Sequence, residues 1–75
     1  MTQGGIGPRR RSVVIAGHRT SVSVEDPFWD ELRAIAAARG LSLNRLVAEI
    51  DAARAGALSS AIRLHVLAWL KRNAG

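Results

Sequence analysis

The side chains best equipped for chemistry in this 75-residue chain are its basic ones, and their placement suits holding an anion. Eleven Lys and Arg stand against six Asp and Glu, a formal charge of +5. Residues 1–24 carry Arg9, Arg10, Arg11 and Arg19 with no acid, a charge of +4. Residues 25–51 hold all six acids (Glu25, Asp26, Asp30, Glu31, Glu49, Asp51) against Arg33, Arg39 and Arg45, a charge of −3. Residues 52–75 return to +4 through Arg54, Arg63, Lys71 and Arg72. A basic arm ahead of a folded body suits a polyanion such as nucleic acid, or an anionic membrane surface. The competing explanation is compositional, since arginine-rich, alanine-rich chains are common where the genome is GC-rich. Arg9, Arg10 and Arg11 can follow a phosphate backbone or enter a minor groove, adding affinity with little sequence information. Left unbound, they form a solvated tail.

Catalytic constellations are missing from the residues. There is no cysteine to pair with a histidine, no Gly-rich phosphate loop and no HExxH. Two isolated histidines, His18 and His65, do not complete a metal site, and six serines without a pocket do not make a triad. The expectation is a non-enzyme without cofactor or metal. With three aromatics (Phe28, Trp29 and Trp69), a single-strand stacking platform is poorly supported; both tryptophans read as packing anchors. The lack of cysteine fits a reducing cytoplasm, no secretory signal is visible, and Ala61–Leu70 is too short and too polar to span a bilayer.

The elements that would position these groups follow from periodicity. Residues 1–11, with Gly4, Gly5, Gly7 and Pro8, read as a flexible basic arm. Ser12–Val24 (SVVIAGHRTSVSV) is the only strand material, and its second half alternates. Thr20, Val22 and Val24 share one face, and Arg19, Ser21 and Ser23 share the other, which meets solvent or a ligand. Asp26 before Pro27 reads as the cap of a first helix, with Phe28, Leu32, Ile35 and Ala36 on one stripe. Gly40 should end that helix in the left-handed conformation. Ser42 should cap a second, striped by Leu43, Leu46, Val47 and Ile50. After Gly56, Ser59 or Ser60 should cap a third helix whose Ile62, Val66, Leu67, Trp69 and Leu70 share a broad face. The helix starting at Ser42 offers backbone N–H groups at Leu43, Asn44 and Arg45 to a phosphate, but every helix has such an end. No internal repeat is evident.

A single strand needs ladder partners. A hairpin folding Val13–Ile15 onto Val22–Val24 around Gly17–His18 would provide them, but it lacks a favoured turn pair such as Asn-Gly. Pairing with the same strand of a second copy about a two-fold axis is the simpler solution, which makes an obligate homodimer with a shared core.

At this point GHRTSVSVEDPFWDELRAIAAARGLSLNRLVAEI resembles the ribbon-helix-helix family of bacterial DNA-binding regulators, and a short GHRTS-containing subfamily of it with an added C-terminal helix. The similarity spans roughly Arg11 to Leu70. It implies a mainly α fold with one β-strand per chain, paired across a homodimer as an intermolecular antiparallel ribbon. The organisation is then a 1–11 arm, a 12–54 ribbon-helix-helix domain and a 55–75 C-terminal helical extension. It implies a ribbon in the major groove of double-stranded DNA, with Arg19, Ser21 and Ser23 contacting bases. Ser42, Leu43, Asn44 and Arg45 would hold a phosphate, supported by Arg9, Arg10 and Arg11. The function implied is transcriptional repression or autoregulation in the cytoplasm, at the nucleoid. The alternative is an antitoxin-like dimerisation module that captures a protein through its C-terminal helix. Family geometry sets Ser21 opposite its own copy and Arg19 opposite Ser23, with paired residue numbers summing to 42. Ser12–Ala16 would then either leave the ladder near Gly17 or pair elsewhere, and the rival is a longer ribbon centred near His18 that uses Val13 and Ile15 as core.

Overall fold

The structure, a computed structural model, describes residues 7–74. Two strands, β1 (Pro8–Ile15) and β2 (His18–Glu25), precede three helices, α1 (Asp26–Arg39), α2 (Leu43–Ala53) and α3 (Leu58–Arg72). β1 and β2 form an antiparallel two-stranded sheet within one chain, in a register running from Ile15↔His18 to Pro8↔Glu25. This corrects the one-strand expectation. It also corrects the flexible arm, because Pro8–Arg11 belong to β1. The rest of that arm, residues 1–6, lies outside the described residues.

The hairpin forms despite its unfavoured turn. Ala16 (φ 53°) and Gly17 (φ 81°) both have positive φ, the signature of the two-residue turn whose twist matches a right-handed ribbon. Gly17 adopts it freely, whereas Ala16 is strained by roughly 1–2 kcal/mol because its Cβ crowds the following carbonyl. What offsets that strain is burial. Val13 is a core residue and Ile15 packs against the core, together with Val22 and Val24. Thr20 shares their parity but stays exposed, close to the turn.

The core closes within one chain. Val24, Leu32, Ile35, Leu46, Val47, Ile62 and Val66 are fully buried, and each of the three helices and both strands contributes to the same cluster. α3 is part of this core through Ile62 and Val66, while Leu64, Leu67 and Leu70 remain exposed.

Local signals mark the helix ends unevenly. Gly40 ends α1 in the left-handed conformation (φ 68°), and the Ser42 side chain caps α2 by accepting from the Arg45 N–H. Asp26 does not cap α1: it is already helical, after an extended Glu25 that makes no side-chain cap bond. Nor do Ser59 or Ser60 cap α3, which begins after Ala57. The apolar anchor Leu58 starts the helix two or three residues earlier by packing against the core.

Replacing Ala16 by Asn would put the favoured Asn-Gly pair at the turn. Ala16→Asn should stabilise the fold by about 1 kcal/mol and raise the melting midpoint by about 4–8 °C. An unchanged or lower midpoint in a thermal melt would contradict the turn geometry.

Candidate nucleic-acid interface

Strand alternation divides the basic residues of the hairpin into two groups. The inward series of β1 is Arg9, Arg11, Val13 and Ile15; the outward series is Arg10, Ser12 and Val14. On β2 the outward series is Arg19, Ser21 and Ser23, as the alternation in sequence predicts. Register sets Arg10 opposite Ser23, Ser12 opposite Ser21 and Val14 opposite Arg19. All six residues are exposed, so one face of the ribbon offers two arginines, three serines and a valine to solvent.

Carboxylates decide which arginines remain available. Asp26 accepts from both Arg9 (3.3 Å) and Arg11. The Arg11 guanidinium also lies over the Trp29 ring, 5.0 Å from its centroid, a cation–π contact on a buried aromatic. Of the three arginines expected to track phosphates, Arg9 and Arg11 are thus turned toward Asp26. Elsewhere Glu49 binds Arg39, Asp51 binds Arg54 and Glu25 binds Arg63. Among the described residues Arg10, Arg19, Arg33, Arg45, Lys71 and Arg72 have no carboxylate partner, and of these Arg10 and Arg19 lie on the ribbon.

The start of α2 lies beside β1. The Asn44 Oδ1 accepts from the Val14 backbone N–H at 3.2 Å, which ties the first turn of α2 to the open edge of the ribbon. Ser42 Oγ accepts from the Arg45 N–H at 3.1 Å, so that N–H is not free for a phosphate. Leu43 and Asn44 keep first-turn N–H groups that have no partner within the helix, and the Arg45 side chain is exposed. A helix start held against the ribbon edge is a second anion-favouring feature near the outward face. Two residues of this outward face, Ser12 and Val14, were not singled out by the sequence. Their signal was the same period-two alternation, but it has meaning only once β1 is known to pair.

Of the histidines, His18 is exposed beside the turn, while His65 is partly buried on α3, where desolvation first and then Arg39 push its pKa below the ordinary value. Among the described residues no three His, Asp or Glu side chains come together as a metal site, and no helix is long and apolar enough to cross a membrane.

A family model described as the ribbon-helix-helix domain matches residues 8–70, from the first residue of β1 almost to the end of α3. The chain belongs to the ribbon-helix-helix family. Ribbon-helix-helix domains are in general DNA-binding transcription regulators that bind DNA as dimers. No curated protein and no solved structure matches the chain. In this ribbon-helix-helix domain the match runs over both β1 and α3.

Two bidentate ion pairs hold the helices beneath the ribbon. Arg63 donates to Glu25 at 2.8 and 3.1 Å, joining the end of β2 to α3, and Arg39 donates to Glu49 at 2.7 and 3.2 Å, joining α1 to α2. The arginine hydrogen bonds hold both carboxyls below their ordinary value of 4.5. A depressed folded pKa contributes stability that is present above the unfolded value and lost as pH falls through the folded one. Denaturant melts should therefore show stability declining progressively below about pH 4.5. Glu25→Gln with Glu49→Gln should make that decline shallower; an unaltered acid limb would show that the pairs contribute nothing.

Proposed function

We propose that this protein binds double-stranded DNA sequence-specifically, with the outward face of the β1–β2 ribbon in the major groove, and acts as a transcriptional repressor or autoregulator. The observation that carries the reading is the sorting of the arginines. Those facing inward are paired with Asp26, whereas Arg10 and Arg19 face outward with no carboxylate beside them. A two-stranded ribbon fits the major groove, where arginine can bond guanine O6 and N7 together and serine can meet several bases. Leu43 and Asn44 at the start of α2, with the Ser42 cap and the Arg45 side chain, would hold a backbone phosphate. Such a contact fixes orientation and carries no sequence information. A DNA ligand places the protein in the cytoplasm, at the nucleoid. Repression follows if the occupied site overlaps a promoter.

A homodimer joined through α3 accompanies this reading. Leu64, Leu67 and Leu70 are exposed at 65%, 50% and 43%, an apolar run on the outside of α3. Phe28, Asp30, Glu31, Val66 and Leu70 line the neighbouring groove between α1 and α3. Asp30 and Glu31 have no arginine partner among the described residues. The groove is thus apolar with a negative rim, and Lys71 and Arg72 at the end of a second copy's α3 have the complementary charge. Leu67→Glu should shift sedimentation toward the single chain without changing the preferred DNA sequence.

Selection of bound fragments from random duplex DNA tests the main reading, followed by affinity on the best site. Arg19→Ala should cost about 1–3 kcal/mol and relax preference at one position of that site. Log affinity should fall with log salt by about 0.9 per phosphate neutralised. Enrichment of no sequence, with affinity set by salt alone, would rule out base reading by the ribbon.

A further inference from the structure

We propose that β1 fills the place of a second chain's strand, so that one chain carries a complete DNA-reading ribbon in which Arg10, Ser12 and Val14 form the second set of base-contacting residues. The inference rests on the major-groove reading above. Its basis is an agreement between register and sequence. Ser12 and Ser21 are directly opposed near the middle of the outward face. A two-fold axis through that pair carries each residue of β1 onto the β2 residue nine positions later. On the outward face it relates Arg10 to Arg19, Ser12 to Ser21 and Val14 to Ser23. On the inward face it relates Val13 to Val22 and Ile15 to Val24, all of them in the core cluster or packed against it. Arg10–Val14 reads RRSVV and Arg19–Ser23 reads RTSVS, a short Arg-x-Ser-Val repeat that the hairpin sets antiparallel.

The chain therefore presents what a two-fold pair of β2 strands would present. Ser21 meets a serine, Ser12, instead of its own copy, and Ser23 meets an arginine, Arg10, instead of Arg19 of a second chain. Arg10 and Arg19 sit in cross-strand pairs four residues apart along the ribbon. At about 3.3 Å per residue the separation is about 13 Å, or roughly four base-pair steps of about 3.4 Å each. Two guanines about that far apart fit the two guanidinium groups. On the inward face Arg9 and Arg11 fall on His18 and Thr20, and on the outward face the pseudo-symmetry fails at one position. Val14, 42% exposed beside Arg19, occupies the place that Ser23 occupies beside Arg10. An apolar side chain suits a thymine methyl, whereas serine discriminates weakly, so the site should be a near-palindrome with a thymine preference at one end only.

Cross-linking tests the ribbon without DNA, because the chain has no cysteine of its own. The two-residue turn makes Ile15↔His18 a hydrogen-bonded pair, and the Val14 N–H points away from β2 to Asn44, so alternate pairs including Ser12↔Ser21 are not hydrogen-bonded. Such pairs have Cα atoms about 4.5 Å apart, within reach of a disulfide. Under oxidation Ser12→Cys with Ser21→Cys should close a link within one chain, seen by mass spectrometry as loss of two hydrogens at monomer mass. Ser21→Cys alone should stay uncross-linked; its rapid conversion to a covalent dimer would place Ser21 opposite its own copy and overturn the proposal. On the selected duplex, Arg10→Ala and Arg19→Ala should each relax a different end, by roughly 5- to 150-fold. The proposal also falls if Arg19→Ala relaxes both ends together while Arg10→Ala weakens all duplexes equally. Binding of no duplex by the wild-type chain, with the link still closing within one chain, would refute the DNA reading and leave the ribbon standing.

Discussion

The structure depends on the pairing of β1 with β2 across a two-residue turn. Two strands in the chain supply each other's backbone partners, and the register that the turn imposes decides which side chain faces where. A slip of one residue would exchange every inward and outward side chain of one strand. Val13 and Ile15 would then lie on the open face, and Arg10 would lie against Asp26 or the core. Burial of the valines holds the register, and the same register exposes Arg10 and Arg19. Stability and binding surface are in this sense one property of the ribbon.

The acidic middle of the sequence has a structural use. Four of its six carboxylates are bound to arginines: Asp26 to two on β1, Glu25 to α3, Glu49 to α1 and Asp51 to Arg54. These pairs are partly exposed, so each contributes modestly to stability. Their larger effect is on the field. They pair the two arginines on the ribbon's inner face and leave Arg10 and Arg19 on its outer face without a carboxylate partner.

A chain this short buries a limited fraction of its surface, and a shared core across two copies is one remedy. Here α3 supplies part of the answer within the chain by adding Ile62 and Val66 to a core that also receives both strands. Once that core is closed in one chain, the ribbon no longer needs a second copy to exist. The apolar residues that remain outside, Leu64, Leu67 and Leu70, lie on α3 and not on the ribbon.

Much of this was legible from residue order alone. The helix stripes, the Gly40 end, the Ser42 cap and the outward series Arg19, Ser21 and Ser23 depend on neighbours within a few positions, and those interactions are written locally. The caps assigned to Asp26 and Ser59 or Ser60 went to other residues because an ion pair with β1 and the packing of Leu58 outweighed local preference. The partner of β2 was decided at a longer range. Backbone N–H and C=O groups are the same in β1 as in a second copy of β2, so composition does not choose between them. In the tertiary structure β1 is a partner of β2 because a two-residue loop brings it within reach at little entropic cost. That pairing makes Pro8–Arg11 of the basic arm part of a strand.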